Sequence, residues 1–130
     1  MFKREIEPEI KALAKGYPVV TILGPRQSGK TTMVQAAFPE KPYVNLEAPD
    51  IRQLAQIDPR AFLEKYPKGA ILDEIQRVPD LLSYIQVIVD EKEQKGMFIL
   101  TGSHQLEHPQ ELGHALAREF QSRGLAAHAP

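Results

Sequence analysis

The distribution of apolar runs along this 130-residue chain predicts an α/β protein, a parallel sheet with crossover helices. Three observations predict it. Short apolar or β-branched runs alternate with segments of helical period, separated by short turns. The first such run passes at once into a glycine-containing loop that opens a helix. Polar residues also gather directly after three of the four predicted strands, where an open parallel sheet binds its ligands.

In chain order, Phe2, Ile6, Ile10, Leu13 and Tyr17 recur at helical spacing, with Gly16 and Pro18 ending an amphipathic lead-in helix. Val19 to Leu23 is a β-branched apolar run and reads as a strand. Thr31 to Phe38 reads as a helix closed by Pro39, and Tyr43 to Leu46 alternates as a second strand. Ala48-Pro49-Asp50 is a turn, followed by short helices over Asp50–Gln56 and Pro59–Tyr66, the second capped by Asp58 with Pro59 at its first position. Ala70-Ile71-Leu72 is a buried strand that delivers Asp73 and Glu74. Pro79 opens a helix striped by Leu81, Leu82, Ile85, Ile88 and Val89, finished by Lys92, Lys95 and a Gly96 cap. Met97 to Leu100 is the fourth strand, and Thr101-Gly102-Ser103 its polar exit. From His104 onward Leu112, Leu116 and Phe120 allow one helix between Pro109 and Gly124, and no further strand is expected. His104 and His108 have a spacing that a helix could use for metal, but Pro109 and the want of partner ligands favour solvated side chains.

Composition narrows the function. Sixteen basic residues against seventeen acidic ones leave a net charge of -1, so charge gives no support to nucleic acid or an anionic lipid surface as a partner. The absence of cysteine removes disulfides, thiolate chemistry and sulfur-based zinc sites. Met1-Phe2-Lys3-Arg4-Glu5 is not the start of a secretory signal, and no apolar run reaches membrane-spanning length. A soluble, cytoplasmic chain with no membrane partner is the expectation.

The stretch Gly24-Pro25-Arg26-Gln27-Ser28-Gly29-Lys30-Thr31 fits the phosphate-binding loop pattern of Gly, four residues, Gly, Lys, Ser or Thr. The two glycines let backbone N–H groups turn inward around an anion, and the helix that follows adds the partial charge of its N-terminus. Lys30 supplies a point charge for β- and γ-phosphates, and the Thr31 hydroxyl is a hard ligand suited to Mg²⁺. Asp73, at the end of the third strand, is where a second Mg²⁺ ligand belongs, and Glu74 is placed to deprotonate an attacking water. Thr101 or Ser103, on the neighbouring strand, could hydrogen-bond the γ-phosphate or that water.

These residues carry a resemblance. The loop at 24–31, Ala-Ile-Leu-Asp-Glu-Ile-Gln-Arg-Val-Pro at 70–79 and Phe-Ile-Leu-Thr-Gly-Ser at 98–103 resemble the prokaryotic AAA-domain ATPases, and the likeness runs from Met1 to about Glu107, taking in Val-Asn-Leu-Glu-Ala-Pro-Asp at 44–50. The resemblance implies a P-loop NTPase-like fold with helices on both faces of the sheet, and at least five strands, the phosphate-loop strand lying between the fourth and the last. It implies ATP and Mg²⁺ as ligands. Gly24 to Thr32, including Thr32, would form the Walker A loop, Asp73 and Glu74 the Walker B pair that holds Mg²⁺ and activates water, and Thr101 or Ser103 would sense the γ-phosphate. The family continues past this point with a Ser-Leu-Ala-Gly-Arg-like segment, a fifth strand and a C-terminal domain. This chain offers only His-Ala-Leu-Ala-Arg at 114–118, so Arg118 is not assigned as an arginine finger.

The expectation is therefore an AAA-type domain over residues 1–107, a divergent helical or disordered tail over 108–130, and a sheet incomplete at its C-terminal end, as in a truncated or frame-shifted product. The phosphate-loop strand would then be an exposed edge. An ATPase that needs a protein partner or a second copy of itself is the first functional reading. The alternative is a binding module that holds ATP without turnover. A small-molecule kinase lacks a legible acceptor site or lid, and a GTPase lacks an Asn-Lys-x-Asp segment.

Overall fold

A computed structural model describes residues 6–24, 29–103 and 126–129. Five strands form a single parallel sheet: β1 (Val19–Gly24), β2 (Tyr43–Asn45), β3 (Ala70–Asp73), β4 (Phe98–Ser103) and β5 (Ala126–Ala129). Their spatial order is β2-β3-β4-β1-β5. The helices are α1 (Ile6–Gly16), α2 (Lys30–Ala37), α3 (Pro49–Ile57), α4 (Pro59–Glu64) and α5 (Leu81–Lys92).

A strand buried on both faces sends alternate side chains to opposite sides, so one sheet supports two cores. Val20, Ile22, Ile71 and Ile99 face α1 and α2, where Ile10, Ala14, Met33, Val34, Ala37 and Phe38 meet them. Val19, Leu72, Phe98 and Leu100 face the other way, toward Ala55 of α3, Phe62 and Leu63 of α4, and the Leu81, Leu82, Ile85 and Val89 stripe of α5. The register pairs Ile71 with Ile99 and Leu72 with Leu100, so like layers stack across β3 and β4. Crossover helices on both faces of a parallel sheet are the arrangement expected of the sequence.

Local chemistry sets the element ends. Asp58 caps α4 as anticipated, its Oδ1 accepting from Ala61 N at 3.1 Å. The end of α5 differs from expectation. The helix stops at Lys92, with Glu93 in the left-handed region at φ 53°, and Gly96 lies beyond it in the turn to β4. Gly96 is needed there for another reason: its N–H donates to Tyr17 O at 2.8 Å, and a Cβ would sit 2.8 Å from Ala14 O. A 3-10 turn at Ile75–Arg77, between β3 and α5, had no periodic signal to announce it.

The expectation that no strand follows Ser103 is corrected. β5 lies along β1 from Val19↔Ala126 to Ile22↔Ala129, so β1 is flanked by β4 and β5 and is not an edge. Ala-Ala-His-Ala has neither β-branched residues nor alternation, which is why its sequence did not read as a strand. What makes it one is the partner: the outer backbone N–H and C=O groups of β1, buried along its whole length, need hydrogen bonds. The helix anticipated between Pro109 and Gly124, with His104, His108 and Arg118, lies outside the described residues.

Candidate functional site

The site is assembled at the carboxyl ends of β1, β3 and β4 and the N-terminus of α2. Gly24 is the last residue of β1, and Gly29 stands immediately before α2 with φ 91°, a conformation open to glycine at little cost. Pro25, Arg26, Gln27 and Ser28 lie outside the described residues. Lys30 and Thr31 occupy the first turn of α2, which contains no acidic side chain to oppose an anion. Thr32, the next residue, is exposed.

Lys30 is buried, and its Nζ donates to Ser103 Oγ at 3.1 Å. Ser103 Oγ in turn faces both oxygens of the Glu74 carboxylate at 2.8 Å. A cation, a hydroxyl and a carboxylate from α2, β4 and the end of β3 thus form one charge-assisted chain. Burial of so many charged groups is tolerable only because they satisfy one another. Beside this chain stands Asp73. Thr31 Oγ1 approaches its two oxygens at 3.4 and 3.3 Å, Thr101 Oγ1 donates to Oδ1, and the Tyr43 hydroxyl donates to Oδ2. Thr101 also accepts from the backbone N–H of Glu74 at 3.1 Å, so a single hydroxyl braces both acidic residues.

Glu74 is held at φ 61°, ψ 53°, which for a non-glycine residue costs about 1–2 kcal/mol. The left-handed residue ends β3 and begins the 3-10 turn, sending two successive acidic residues to different partners. Asp73 engages Thr31, Thr101 and Tyr43, while Glu74 engages Ser103 and, at 3.0 Å through Oε1, Gln76 Nε2. Gly102 leaves the room that Gln76 uses: a Cβ there would come within 3.2 Å of Gln76 Oε1. The Tyr43 phenol is pushed well above its ordinary pKa, by burial first and then by its hydrogen bond to Asp73 and the charges of Asp73, Glu74 and Glu47.

Of the residues singled out in the sequence, Lys30, Thr31, Asp73, Glu74, Thr101 and Ser103 therefore meet in one cluster, all of them buried except Thr31, which is partly exposed. Tyr43 and Gln76 belong to the same cluster and were not anticipated. Gln76 could have been noticed as a polar residue two positions after Glu74, and Tyr43 as the outward residue at the start of β2. Neither position specifies its partner without the fold.

A parallel sheet in the order found, with a helix starting directly beyond its second strand from one edge and two acids at the tip of β3, defines the class as P-loop-like α/β. A family model described as AAA domain matches residues 16–126, and the chain belongs to that family. It is 32% identical over 104 residues to the uncharacterized proteins Mb2031c of Mycobacterium bovis and Rv2008c of Mycobacterium tuberculosis, a match that takes in 78% of this chain and 23% of each relative. The chain thus spans about a quarter of the length of those relatives. Among solved structures, a DNA replication initiation factor superposes with a TM-score of 0.61 at 23% identity, covering 95% of this chain and 44% of that one. AMPPCP-bound DnaA from Aquifex aeolicus gives 0.58 at 21% identity, covering 97% and 44%. The Walker-type ATPase paby2304 of Pyrococcus abyssi gives 0.52 at 16% identity, covering 98% and 54%. At those identities the likeness establishes the fold. Among the described residues no helix is long and apolar enough to cross a membrane.

Proposed function

We propose that this chain is the ATP-binding core of a Mg²⁺-dependent ATPase. The observation that carries the reading is the convergence, in one largely buried cluster, of a lysine at a helix N-terminus, a threonine hydroxyl beside it and two acids at the tip of a neighbouring strand. Among the described residues no group of three or more His, Cys, Asp or Glu could hold a metal unaided. Mg²⁺ takes one or two protein ligands and completes its shell with phosphate oxygens and water, a role that Thr31 and Asp73 could fill. Thr31 Oγ1 stands 3.3 and 3.4 Å from the Asp73 oxygens, so hard oxygen donors of the kind Mg²⁺ takes lie side by side. When bound, Mg²⁺ would offset negative charge on the β- and γ-phosphates.

Lys30 would bind those phosphates, Thr31 and Asp73 would hold the ion, and the Glu74 carboxylate is placed to accept a proton from an attacking water. Ser103, between Lys30 and Glu74, couples the phosphate-binding and water-activating groups. The DnaA neighbour carries AMPPCP, an ATP analogue, which makes ATP the first nucleotide to test. Turnover also needs a positive group to stabilise the transferring phosphoryl, worth about 10³–10⁵ in rate where it is an arginine. We assign that role to a protein partner or a second copy of the chain. A cysteine-free composition suits action in the reducing cytoplasm.

Calorimetric titration with ATP and GTP, with and without Mg²⁺, tests the binding. Phosphate release by the chain and by Glu74→Gln tests the chemistry. A folded chain that binds neither nucleotide counts against the site, whereas ATP binding without Glu74-dependent release marks a module that holds nucleotide without hydrolysing it.

A further inference from the structure

We infer that Tyr43 is a positioning residue for the metal-binding carboxylate, its phenol hydroxyl fixing Asp73 in the orientation that faces Thr31. The inference rests on the nucleotide-binding reading above and assigns a role to a residue outside both motifs.

Asp73 is gripped from both flanking strands. Thr101, on β4, donates to Oδ1, and Tyr43, on β2, donates to Oδ2. The Thr31 hydroxyl faces the same two oxygens almost equally, at 3.4 and 3.3 Å, so the carboxylate presents both oxygens to α2 instead of one. Each oxygen retains lone-pair capacity beyond its single strong donor. The grip therefore orients the group without exhausting it. A carboxylate free to rotate about its last torsion would present a ligand oxygen for only part of the time, and the hydroxyls on either side remove that freedom.

The geometry of β2 explains why the donor is Tyr43 and not the residue directly opposite. Asn45 is the register partner of Asp73, but its side chain is turned to the start of α3, its Oδ1 accepting from the N–H of Glu47 at 3.0 Å. Tyr43 lies two residues earlier on the same face of the strand, about 6.6 Å back along it. A phenol leaning along the strand covers that distance, and shorter polar side chains do not. Tyr43 is 38% exposed on a strand only three residues long, so its ring adds little to the core. Packing alone gives no reason for an aromatic hydroxyl aimed at a carboxylate.

The test compares the full chain with Tyr43→Phe, which keeps the ring and removes only the hydroxyl. A fluorescent ATP analogue is titrated first in EDTA and then at fixed concentration across a Mg²⁺ series, with a thermal melt confirming that the variant is folded. Loss of a group that orients a metal ligand typically weakens metal binding by about 10–100-fold. For this half-exposed donor the low end is expected: about a tenfold higher Mg²⁺ requirement, with affinity in EDTA unchanged. A purely structural role for Tyr43 would weaken both titrations together, and that result overturns the inference. So does a Tyr43→Phe curve that overlays the wild type across the Mg²⁺ series. If the wild-type chain binds no nucleotide in either condition, the reading of the site falls and the inference with it. That outcome is visible in the wild-type titration alone, before the variant is compared.

Discussion

The two ends of the sheet hold together by different means. At the carboxyl end backbone bonds such as Leu46 N to Asp73 O at 3.0 Å are joined by many contacts between side chains far apart in sequence: Lys30 with Ser103, Ser103 with Glu74, and Asp73 with Thr31, Thr101 and Tyr43. At the amino end the contacts are made by the backbone. Gly96 N donates to Tyr17 O at 2.8 Å, Met97 N to Pro18 O at 2.9 Å, and Ile71 N to Pro42 O at 2.8 Å. The side chains that take part there reach for carbonyls: Lys41 Nζ donates to Met97 O at 2.9 Å and to Lys68 O at 3.2 Å, and Lys92 Nζ to Pro67 O at 3.1 Å. The difference teaches where changes should be felt. Substitutions at the carboxyl end should alter ligand binding first, with a stability cost where they unpair a buried charge, and substitutions at the amino end should alter the fold itself.

The largest effect is expected at Gly69. Its φ of 91° lies in the left-handed region, and a Cβ there would stand 1.7 Å from the Met97 carbonyl oxygen, an atom of the backbone leading into β4. Unfavourable dihedrals and a backbone that must shift together predict that Gly69→Ala destabilises by about 3 kcal/mol or more. Urea denaturation measures it. A loss under 1 kcal/mol would show that the amino end is softer than its close contacts imply, and would break the comparison on that side.

Lys30→Ala should act on ligand binding more than on the fold. Losing a charged hydrogen bond to phosphate costs about 1.5–3 kcal/mol, or roughly tenfold to over a hundredfold in nucleotide affinity. The melting transition should fall as well: Lys30 packs in neither apolar core, but its loss removes the cation from the buried chain of Lys30, Ser103 and Glu74. Unchanged calorimetric affinity in a folded Lys30→Ala chain would remove the lysine from the site.

Glu74 sharpens the comparison, since among the described residues it is the non-glycine residue in the left-handed region at the carboxyl end. Glu74→Gly and Glu74→Ala remove the same carboxylate and its hydrogen bonds to Ser103 and Gln76. They differ in what they ask of the backbone at φ 61°. The glycine variant should be the more stable by about 1 kcal/mol, the reverse of the usual ranking of the two residues within a helix or strand. Parallel denaturation curves in which alanine is equal or better would mean that the left-handed turn relaxes when the carboxylate is gone.

What could be read from the sequence follows the same division. Lys30, Thr31, Asp73 and Glu74 were legible because each motif is local: a loop before a helix, and two acids after an apolar run. The strands at Val19, Ala70 and Phe98 were legible because β-branched and apolar residues run together there, and the Asp58 cap because Pro59 follows it. β5 was not, since four small or polar residues become a strand only through their neighbour β1. The left-handed Glu74 has no sequence signature, because glutamate is a poor choice for that conformation. The Tyr43 hydroxyl had no address in the sequence, and Thr101 was expected at the γ-phosphate or the water, until the order β2-β3-β4 set the two on either side of Asp73. Thr101 was read as a residue at a strand exit, yet β4 continues through it to Ser103, which buries its hydroxyl among acids.

The smallest effect is expected at Lys41, and its sign is fixed by the amino end's own chemistry. The ammonium is half-buried, and burial lowers its pKa from 10.5, opposed in part by the charge of the adjacent Glu40. In the unfolded chain it keeps its proton up to about its ordinary value. Between the lowered folded pKa and 10.5 the unfolded state therefore binds more protons than the folded one, and stability rises with pH across that window. The gain is complete above the unfolded value and is lost as pH falls through the folded one, so at neutral pH the cost of burying the charge is present in full. Lys41→Met keeps most of the aliphatic stem and removes the titration. The stability of the wild type minus that of Lys41→Met should be level near neutrality and rise as pH approaches 10.5. The raised Tyr43 phenol titrates in both chains and cancels in the difference. Solvent reaches the ammonium and screens it, which keeps the change below the other three. A difference that stays flat, or falls, would mean that the hydrogen bonds to Met97 O and Lys68 O hold the charged form more firmly than burial opposes it. Lys41 would then be a net stabilising clamp at neutral pH, and the amino end would depend on a side-chain charge as the carboxyl end does.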